Sequence, residues 1–586
     1  MCGIEGVIPL DHDLDNSDLL ASQAMLGSLV HRGPDRQSED INQGFILGHS
    51  RLSMVGGSAG DQPIHKNGRA LVFNGEIYNH QDLIKSADIE KSSSDTENLF
   101  AHLAEHGITS LNELNGMFAF CYVDHEKIYL VRDRFGEKPL FYTILNGRLY
   151  FASEATAFKQ IRDLELVLPD YYPNLETAIA PDTIFKDVFQ LEQGHYLEID
   201  IATKKIEKVK YYEPKIEIAN MDFLEAVDEL RRLLDQAIQM RLPDNQRYAA
   251  YISGGLDSTI IAMASNPHLL LSFISDSSRP ESEEKYADVV ADSLNSEYVK
   301  VGADSELFIE KLYELIFALS GPTTSLAALS QLVLSSTVKD HDIKTVLSGI
   351  GADEFFGGYM RHPFGFMNGL NPEKQGFAHY RPLFNKQAGL IKPIDRYAAL
   401  LNRSSNFSAA PVIEKLQPLF DIYNPATAIA MADMLLTMPP LMQMDDHINM
   451  HYSVESRSPF LDHRLVELGL SLPAKFKMNI QDNILNLKHV LKTAYEDLLP
   501  PPIKKRTDKV GFPSLVNEWL SKDLSKMVVN ARRVLGDVFG DSKYIFSESL
   551  DLFDRRNYQI LQLAASYLIF SQGLSKDKFQ QELLRD

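Results

Sequence analysis

Two cysteines, one tryptophan and a shortage of positive charge set the first limits on this chain of 586 residues. Cys2 and Cys121 are too few for a disulfide framework or a cysteine-based zinc site. Against 80 aspartates and glutamates stand only 58 lysines and arginines, and the net charge of −22 argues against a nucleic-acid partner, which needs clustered cations. The densest basic run, Lys204 to Lys210, has acidic neighbours and is expected to be a solvated face. No apolar run reaches the ~18 residues that cross a bilayer, so no membrane partner is expected. Met1-Cys2-Gly3-Ile4-Glu5-Gly6 has neither the basic region nor the apolar core of a signal peptide, which makes the cytoplasm the expected compartment. Solenoid-type repeats and low-complexity tracts are absent as well.

What is present centres on Tyr251-Ile-Ser253-Gly254-Gly255-Leu-Asp257-Ser258. The residues entering it, Arg247 to Ile252, are aromatic, small and β-branched, and those leaving it, Ser258 to Ala264, suit a helix. Strand, tight turn and helix follow. Two glycines let backbone N–H groups approach a phosphate, the helix N-terminus favours an anion, and Ser253 and Ser258 add hydroxyl donors. The Gly-Lys-Ser/Thr of a Walker P-loop is missing, so the usual lysine for the β- and γ-phosphates is not supplied here.

Downstream, strands expected at Leu269–Ser275, Glu297–Val301 and Thr345–Ser348 alternate with helical patterns, including Leu307–Leu319, as in a doubly wound parallel sheet that binds ligands at its strand C-termini. Asp222 to Leu242 carries one apolar stripe behind a capping box of Asp222 and Glu225. The first two hundred residues read differently. Gly116–Val123, Ile128–Arg132 and Leu149–Ser153 alternate as strands packed in sheets, with Cys121 expected in the core.

Cys2 follows the initiator methionine, whose removal would leave a thiol and a free α-amine on one residue. With a reference pKa of about 7.7 to 8.0, that amine can act as a base for its own side chain. His31-Arg-Gly-Pro-Asp35, Leu47-Gly-His49-Ser-Arg51-Leu-Ser, Phe73-Asn74-Gly75-Glu76-Ile-Tyr78-Asn79 and Ser94-Asp95-Thr96-Glu97 then occur in order. This set resembles the class II glutamine amidotransferases. Chemically, Arg51 suits an α-carboxylate, and Glu76 and Asp95 suit an α-ammonium, as a glutamine site requires. The resemblance further implies that Cys2 attacks the amide while Asn74 and the Gly75 backbone form the oxyanion hole. Arg132-Asp-Arg-Phe-Gly-Glu-Lys138-Pro139-Leu also matches, as a turn near the domain interface.

The SGGLDS loop is similar to the pyrophosphate loop of ATP-pyrophosphatases, and Ser348-Gly349-Ile350-Gly351-Ala352-Asp353-Glu354-Phe-Phe-Gly357-Gly358-Tyr359 resembles the asparagine synthetase signature. Further matches are Asp446 to Met450 and Ser453 to Arg464, which would line the nucleotide and acceptor cleft, Lys488 in a helical stretch Asn486 to Lys492, and Arg506 to Phe512. Residues 360 to 440 match poorly. The combined resemblance is to the glutamine-hydrolysing asparagine synthetases: an N-terminal αββα sandwich over 1–212, a linker over 213–220, and a doubly wound ATP-pyrophosphatase domain with added helices over 221–586. ATP would contact Ser253, Gly254, Gly255, Asp257, Ser258, Ser275, Ser348, Gly349, Tyr359 and Lys488. Asp257 and Asp353 would hold Mg2+, which prefers carboxylates and substrate phosphates. Glutamine, ATP and a carboxylate acceptor are the expected partners, and a homodimer is the assembly considered.

One position departs from the family. Asparagine synthetases carry glutamate where this chain has Ile350, and a branched alkyl group cannot accept a proton from attacking ammonia. Besides asparagine formation, two readings therefore stay open: amidation of another carboxylate or amide formation with an amine, and a regulator that binds glutamine and nucleotide without turnover.

Overall fold

The computed structural model describes residues 2–585 apart from 12, 43, 55, 85–91, 218–219, 275–282, 324, 376, 404–407, 507–514 and 540–555. In chain order the first strands are β1 (Cys2–Pro9), β2 (Arg36–Ile41), β3 (Ile46–Arg51), β4 (Ile64–Lys66), β5 (Arg69–Ile77) and β6 (Gly116–Asp124). Next come β7 (Lys127–Arg132), β8 (Phe141–Leu145), β9 (Arg148–Ala152), β10 (Val188–Gln190), β11 (His195–Asp200) and β12 (Ile206–Lys210). They form two antiparallel sheets, ordered β10-β8-β9-β1-β3-β2 and β12-β11-β7-β6-β5-β4.

Alternation along the strands explains why the sheets stack. Ile4 and Ile8 of β1 meet Val72 of β5 and Cys121 of β6 between the sheets, where the Cys121 thiol is fully buried. On the outer faces, Val7 packs on Met25 and Leu29 at the helix Asn16–Ser28, while Leu71, Phe73 and Phe118 pack on Leu99 and Leu103 of the helix Asp95–His106. Helix, sheet, sheet, helix is the αββα sandwich expected.

The remaining large sheet is parallel. Its strands, β13 (Ala249–Tyr251), β14 (Leu269–Ile274), β15 (Glu297–Gly302), β16 (Thr345–Leu347) and β17 (Glu455–Arg457), lie in the order β15-β14-β13-β16-β17. One face carries the helices Phe223–Arg241 and Leu256–Ser265 through Leu230, Leu234 and Ile260, and the other carries the helix Ala328–Asp340 through Leu334 and Val338. Chain order reverses between β13 and β16, which creates the crevice where such sheets bind ligands. The loops after these two strands contain Ser253 and Ser348.

The capping box at Asp222 and Glu225 is present, with Asp222 accepting from the Glu225 N–H at 2.9 Å and Glu225 from the Asp222 N–H at 2.8 Å. Lys488 corrects the sequence reading: Ile484–Asn486 is a strand, the helix starts at His489, and Lys488 between them has φ +53°. Among the described residues no helix is long and apolar enough to cross a membrane. The two sheet systems share a core in which Phe141, Phe158 and Ile184 meet Phe308, Leu312, Tyr558 and Leu561.

Candidate active site

Cys2 opens β1 and is paired with Arg51 at the end of β3. Its backbone N–H donates to Asn74 Oδ1 at 3.0 Å, and its carbonyl accepts from Arg32 Nε at 3.2 Å. Burial raises the thiol pKa, opposed by Arg51 and by a hydrogen bond to the Leu52 backbone. Asn74 sits on β5 with Nδ2 buried and without a hydrogen-bond partner among the described residues. A buried, unused donor costs about 1–3 kcal/mol, which a developing oxyanion would recover. At Gly75 a Cβ would lie 2.1 Å from the Met117 carbonyl, so only glycine lets β5 approach β6 there.

Arg51 donates to Asp61 Oδ1 at 2.5 Å and also to the Gly57 carbonyl. Glu76 and Asp95 are both buried, at 7% and 5% exposure. Burial, then the Asp95 charge, push Glu76 up to about 8, and burial raises Asp95 as well. Asp95 nevertheless accepts from the Ile77 N–H at 3.2 Å and the Thr96 N–H at 2.8 Å. Two crowded, buried carboxylates suit a ligand that brings its own ammonium.

The segment His31 to Asp35 lies between this pocket, where Arg32 holds the Cys2 carbonyl and the Asp35 N–H donates to the Arg51 carbonyl at 3.0 Å, and the other half of the molecule. Arg32, fully buried, bridges Glu154 at 2.9 Å and Asp446 at 2.8 Å, while Asp35 pairs with Lys344 at 2.9 Å. Lys138 joins the same buried cluster 3.1 Å from Asp446. In the turn before it, Asp133 accepts the N–H groups of Phe135 and Glu137 at 3.0 Å and of Lys138 at 2.8 Å.

The second cluster forms where the parallel sheet switches direction. Ser253 Oγ lies 3.3 Å from Ser258 Oγ and accepts from the Gly255 N–H at 3.2 Å. Gly254 has φ +68°, and a Cβ there would meet Tyr286 Cβ at 2.4 Å. The helix Leu256–Ser265 then has Gly255 as its N-cap with no side-chain cap hydrogen bond, a geometry suited to an anion. Arg506 closes the loop from outside, donating to the Gly254 carbonyl at 3.1 Å and pairing with Glu283 at 2.7 Å.

Lys488 Nζ lies 2.5 Å from Asp257 Oδ2 and 2.5 Å from Asp353 Oδ1. Burial lowers the lysine pKa, but the two carboxylates outweigh it and the net shift is upward. The left-handed backbone at Lys488 aims its side chain at both acids, and the neighbouring loop closes tightly on them. A Cβ at Gly358 would fall 1.7 Å from Asp353 Oδ1, and one at Gly349 would come 3.1 Å from Asp257 Cβ. Asp257 Oδ1 is buried with no hydrogen-bond partner among the described residues. Two converging carboxylates with a spare oxygen fit Mg2+ held jointly with phosphate oxygens, although among the described residues no cluster of three or more acidic, His or Cys ligands forms a cage.

Ser348 donates its N–H to the Arg457 carbonyl at 3.0 Å, and its Oγ accepts from the Ile350 N–H at 3.3 Å. Ile350 is half-buried against the apolar core beneath the sheet. Tyr359 donates to Glu354 Oε1 at 2.7 Å, with the Arg361 guanidinium 3.7 Å above its ring. Ser275 and residues 507 to 512 lie outside the described residues.

Sequence reasoning passed over Arg32, Lys138, Glu455 and Arg457 as functional candidates. Arg457 lies inside the matched block Ser453 to Arg464, yet its side chain crosses to the first pocket, with Nη2 3.4 Å from Glu76 Oε2.

The chain resembles known proteins along most of its length. A family model described as asparagine synthase matches residues 229–548, and one described as glutamine amidotransferase domain matches residues 1–212. Over 579 residues the chain is 26% identical to a Bacillus subtilis (strain 168) protein named asparagine synthetase (glutamine-hydrolyzing) 1, covering 90% of this chain and 89% of that one. A Gibberella zeae protein named amidase chry2 is 26% identical over 595 residues, with 87% and 88% covered. The solved glutamine phosphoribosylpyrophosphate amidotransferase from B. subtilis aligns with 51% of this chain and 65% of its own at 18% identity and a TM-score of 0.28, too remote to carry an argument.

Proposed function

The chain belongs to the asparagine synthase family, and from that premise we propose that it is a glutamine-dependent, AMP-forming amidotransferase with a glutaminase unit over residues 1–212 and a synthetase unit over 221–586. Glutamine and water give glutamate and ammonia at Cys2, with Asn74 and the Gly75 backbone receiving the oxyanion. At the Ser253 loop a carboxylate and ATP give an acyl-adenylate and pyrophosphate. Ammonia crossing between the sites then displaces AMP to leave the amide and a proton. Mg2+ at Asp257 and Asp353 would neutralise polyphosphate charge, while Lys488 holds a phosphate once it leaves the two acids.

The observation that carries this reading is the convergence of Asp257, Asp353 and Lys488 over the Ser253 loop, in one chain with Cys2 beside an unused amide donor. Pyrophosphate release, assayed against a panel of carboxylates with glutamine or ammonia, tests it. Release of ADP and phosphate instead would sink the adenylation scheme.

Aspartate is the acceptor the family implies, but Ile350 favours a larger or more apolar carboxylate. With aspartate, loss of the general base costs about 10²- to 10⁴-fold, so asparagine formation should be weak and Ile350→Glu should raise it. With an apolar acceptor, the same change sets an unpaired carboxylate against apolar surface and lowers activity on the true substrate. Efficient asparagine formation by the unmodified protein would end the argument for another acceptor.

A further inference from the structure

Arg457 touches both halves of the chain with different parts of itself. It ends β17, whose neighbour β16 leads into the loop Ser348-Gly349-Ile350, and the register places Arg457 opposite Leu347. Its carbonyl accepts the Ser348 N–H at 3.0 Å, so the main chain fixes the first residue of that loop. The side chain, only 3% exposed, turns the other way. Its Nη2 reaches Glu76 at 3.4 Å, Nη1 donates to the Arg241 carbonyl at 3.0 Å, Nε pairs with Glu455, and the group stands 5.8 Å from the Tyr78 ring.

We infer that Arg457 is a positioning residue that couples occupancy of the glutamine pocket to the shape of the nucleotide loop; this rests on the function proposed above. An arginine between two carboxylates, one held tightly and one at a long distance, has two arrangements. With the pocket empty, the guanidinium pairs with Glu455 and also makes a long hydrogen bond to the Glu76 carboxyl. An incoming α-ammonium takes Glu76, the long contact relaxes, and the guanidinium commits to Glu455 on its own strand. The residue that repositions is the one whose carbonyl holds Ser348. A planar fork can bind Glu455, Glu76 and the Arg241 carbonyl together, which the point charge of lysine cannot. Linkage makes the coupling reciprocal, so nucleotide at the Ser348 loop must change glutamine affinity by the same factor.

The test uses the full-length Cys2→Ala protein, which retains glutamine without consuming it, and measures glutamine Kd by calorimetry with and without ATP and magnesium. With Arg457 in place, ATP should shift Kd by about fivefold or more, within the usual range of coupling. The shift should fall below about twofold in Arg457→Gln and be intermediate in Arg457→Lys. With Cys2 intact, Arg457→Gln should raise the glutamate formed per pyrophosphate released, while ammonia-dependent pyrophosphate release stays within about threefold of the parent, since ammonia bypasses the first pocket. Persistence of the shift in Arg457→Gln overturns the inference, as does its absence from the Cys2→Ala parent. Equal loss of ammonia-dependent release and of coupling in both variants also overturns it, because that marks a merely structural arginine. If the Cys2→Ala protein binds no glutamine, or no carboxylate supports pyrophosphate release, the proposed function itself falls and takes the inference with it.

Discussion

The two polar clusters treat buried charge in opposite ways. Around Cys2 the acids Glu76 and Asp95 crowd together, Arg457 approaches Glu76 only at 3.4 Å, and the Asn74 amide has an unused donor. Around Ser253 the acids Asp257 and Asp353 already share the Lys488 ammonium at 2.5 Å. On the proposed function, the first pocket would receive a cationic group from its ligand, whereas the second would exchange its own cation for a metal ion and phosphate. Their separation in the fold also makes them separable by mutation.

The largest effect should come from breaking each cluster alone. Cys2→Ala should abolish glutamine hydrolysis and leave ammonia-dependent amidation, since Cys2 and the Ser253 loop belong to different sheets. Asp257→Asn or Asp353→Asn should cut pyrophosphate release by roughly 10²-fold or more, the rate equivalent of losing ~3 kcal/mol of charge stabilisation, while basal glutamine hydrolysis survives. Paired glutamate and pyrophosphate assays read both arms; joint loss in a folded variant would refute the two-site scheme.

A smaller effect should separate the two pockets. Lys488→Met removes the ammonium that Asp257 and Asp353 share, a loss of about 3 kcal/mol unless one acid takes up a proton. Magnesium should restore much of that stability in Lys488→Met and change the parent little, because the parent's ammonium already occupies the position. Thermal unfolding with and without magnesium measures this, and an equal response in both proteins would contradict it.

The remaining expected effect is a pH dependence of the glutamine pocket. Glu76 is raised from 4.5 to about 8, so between those values the folded chain holds a proton that the unfolded chain has released. Stability should therefore be fully present below about pH 4.5 and decline as pH rises towards 8, by at most about 1.4 kcal/mol per pH unit. Glu76→Gln should flatten that part of the unfolding profile. In the parent, glutamine affinity should improve over the same range as Glu76 ionises; an affinity indifferent to pH there would remove Glu76 from ammonium binding.

Local pattern carried much of the architecture. Period-2 alternation marked β6, β7 and β9, the 3.6-residue stripe marked the helix Phe223–Arg241 with its capping box, and the strand-turn-helix around Ser253 was plain from glycine and β-branched residues. Lys488 was misplaced because a left-handed residue before a helix leaves no periodic trace, and its conformation goes with two acids at positions 257 and 353. Residues 360 to 440 gave little signal for a related reason. There Asp433 is buried among Arg361, His362 and Tyr397, polar residues that look solvated until the fold encloses them.

By itself the sequence determined the layer types, the two chemical motif sets and the departure at Ile350, because periodicity, turn chemistry and residue identity are local properties. Only the tertiary structure decided how the two sites meet. The pairs Arg32–Asp446 and Arg457–Glu76 join residues 414 and 381 positions apart, and whether a buried arginine finds a carboxylate at that separation depends on sheet order and packing, which no local pattern encodes.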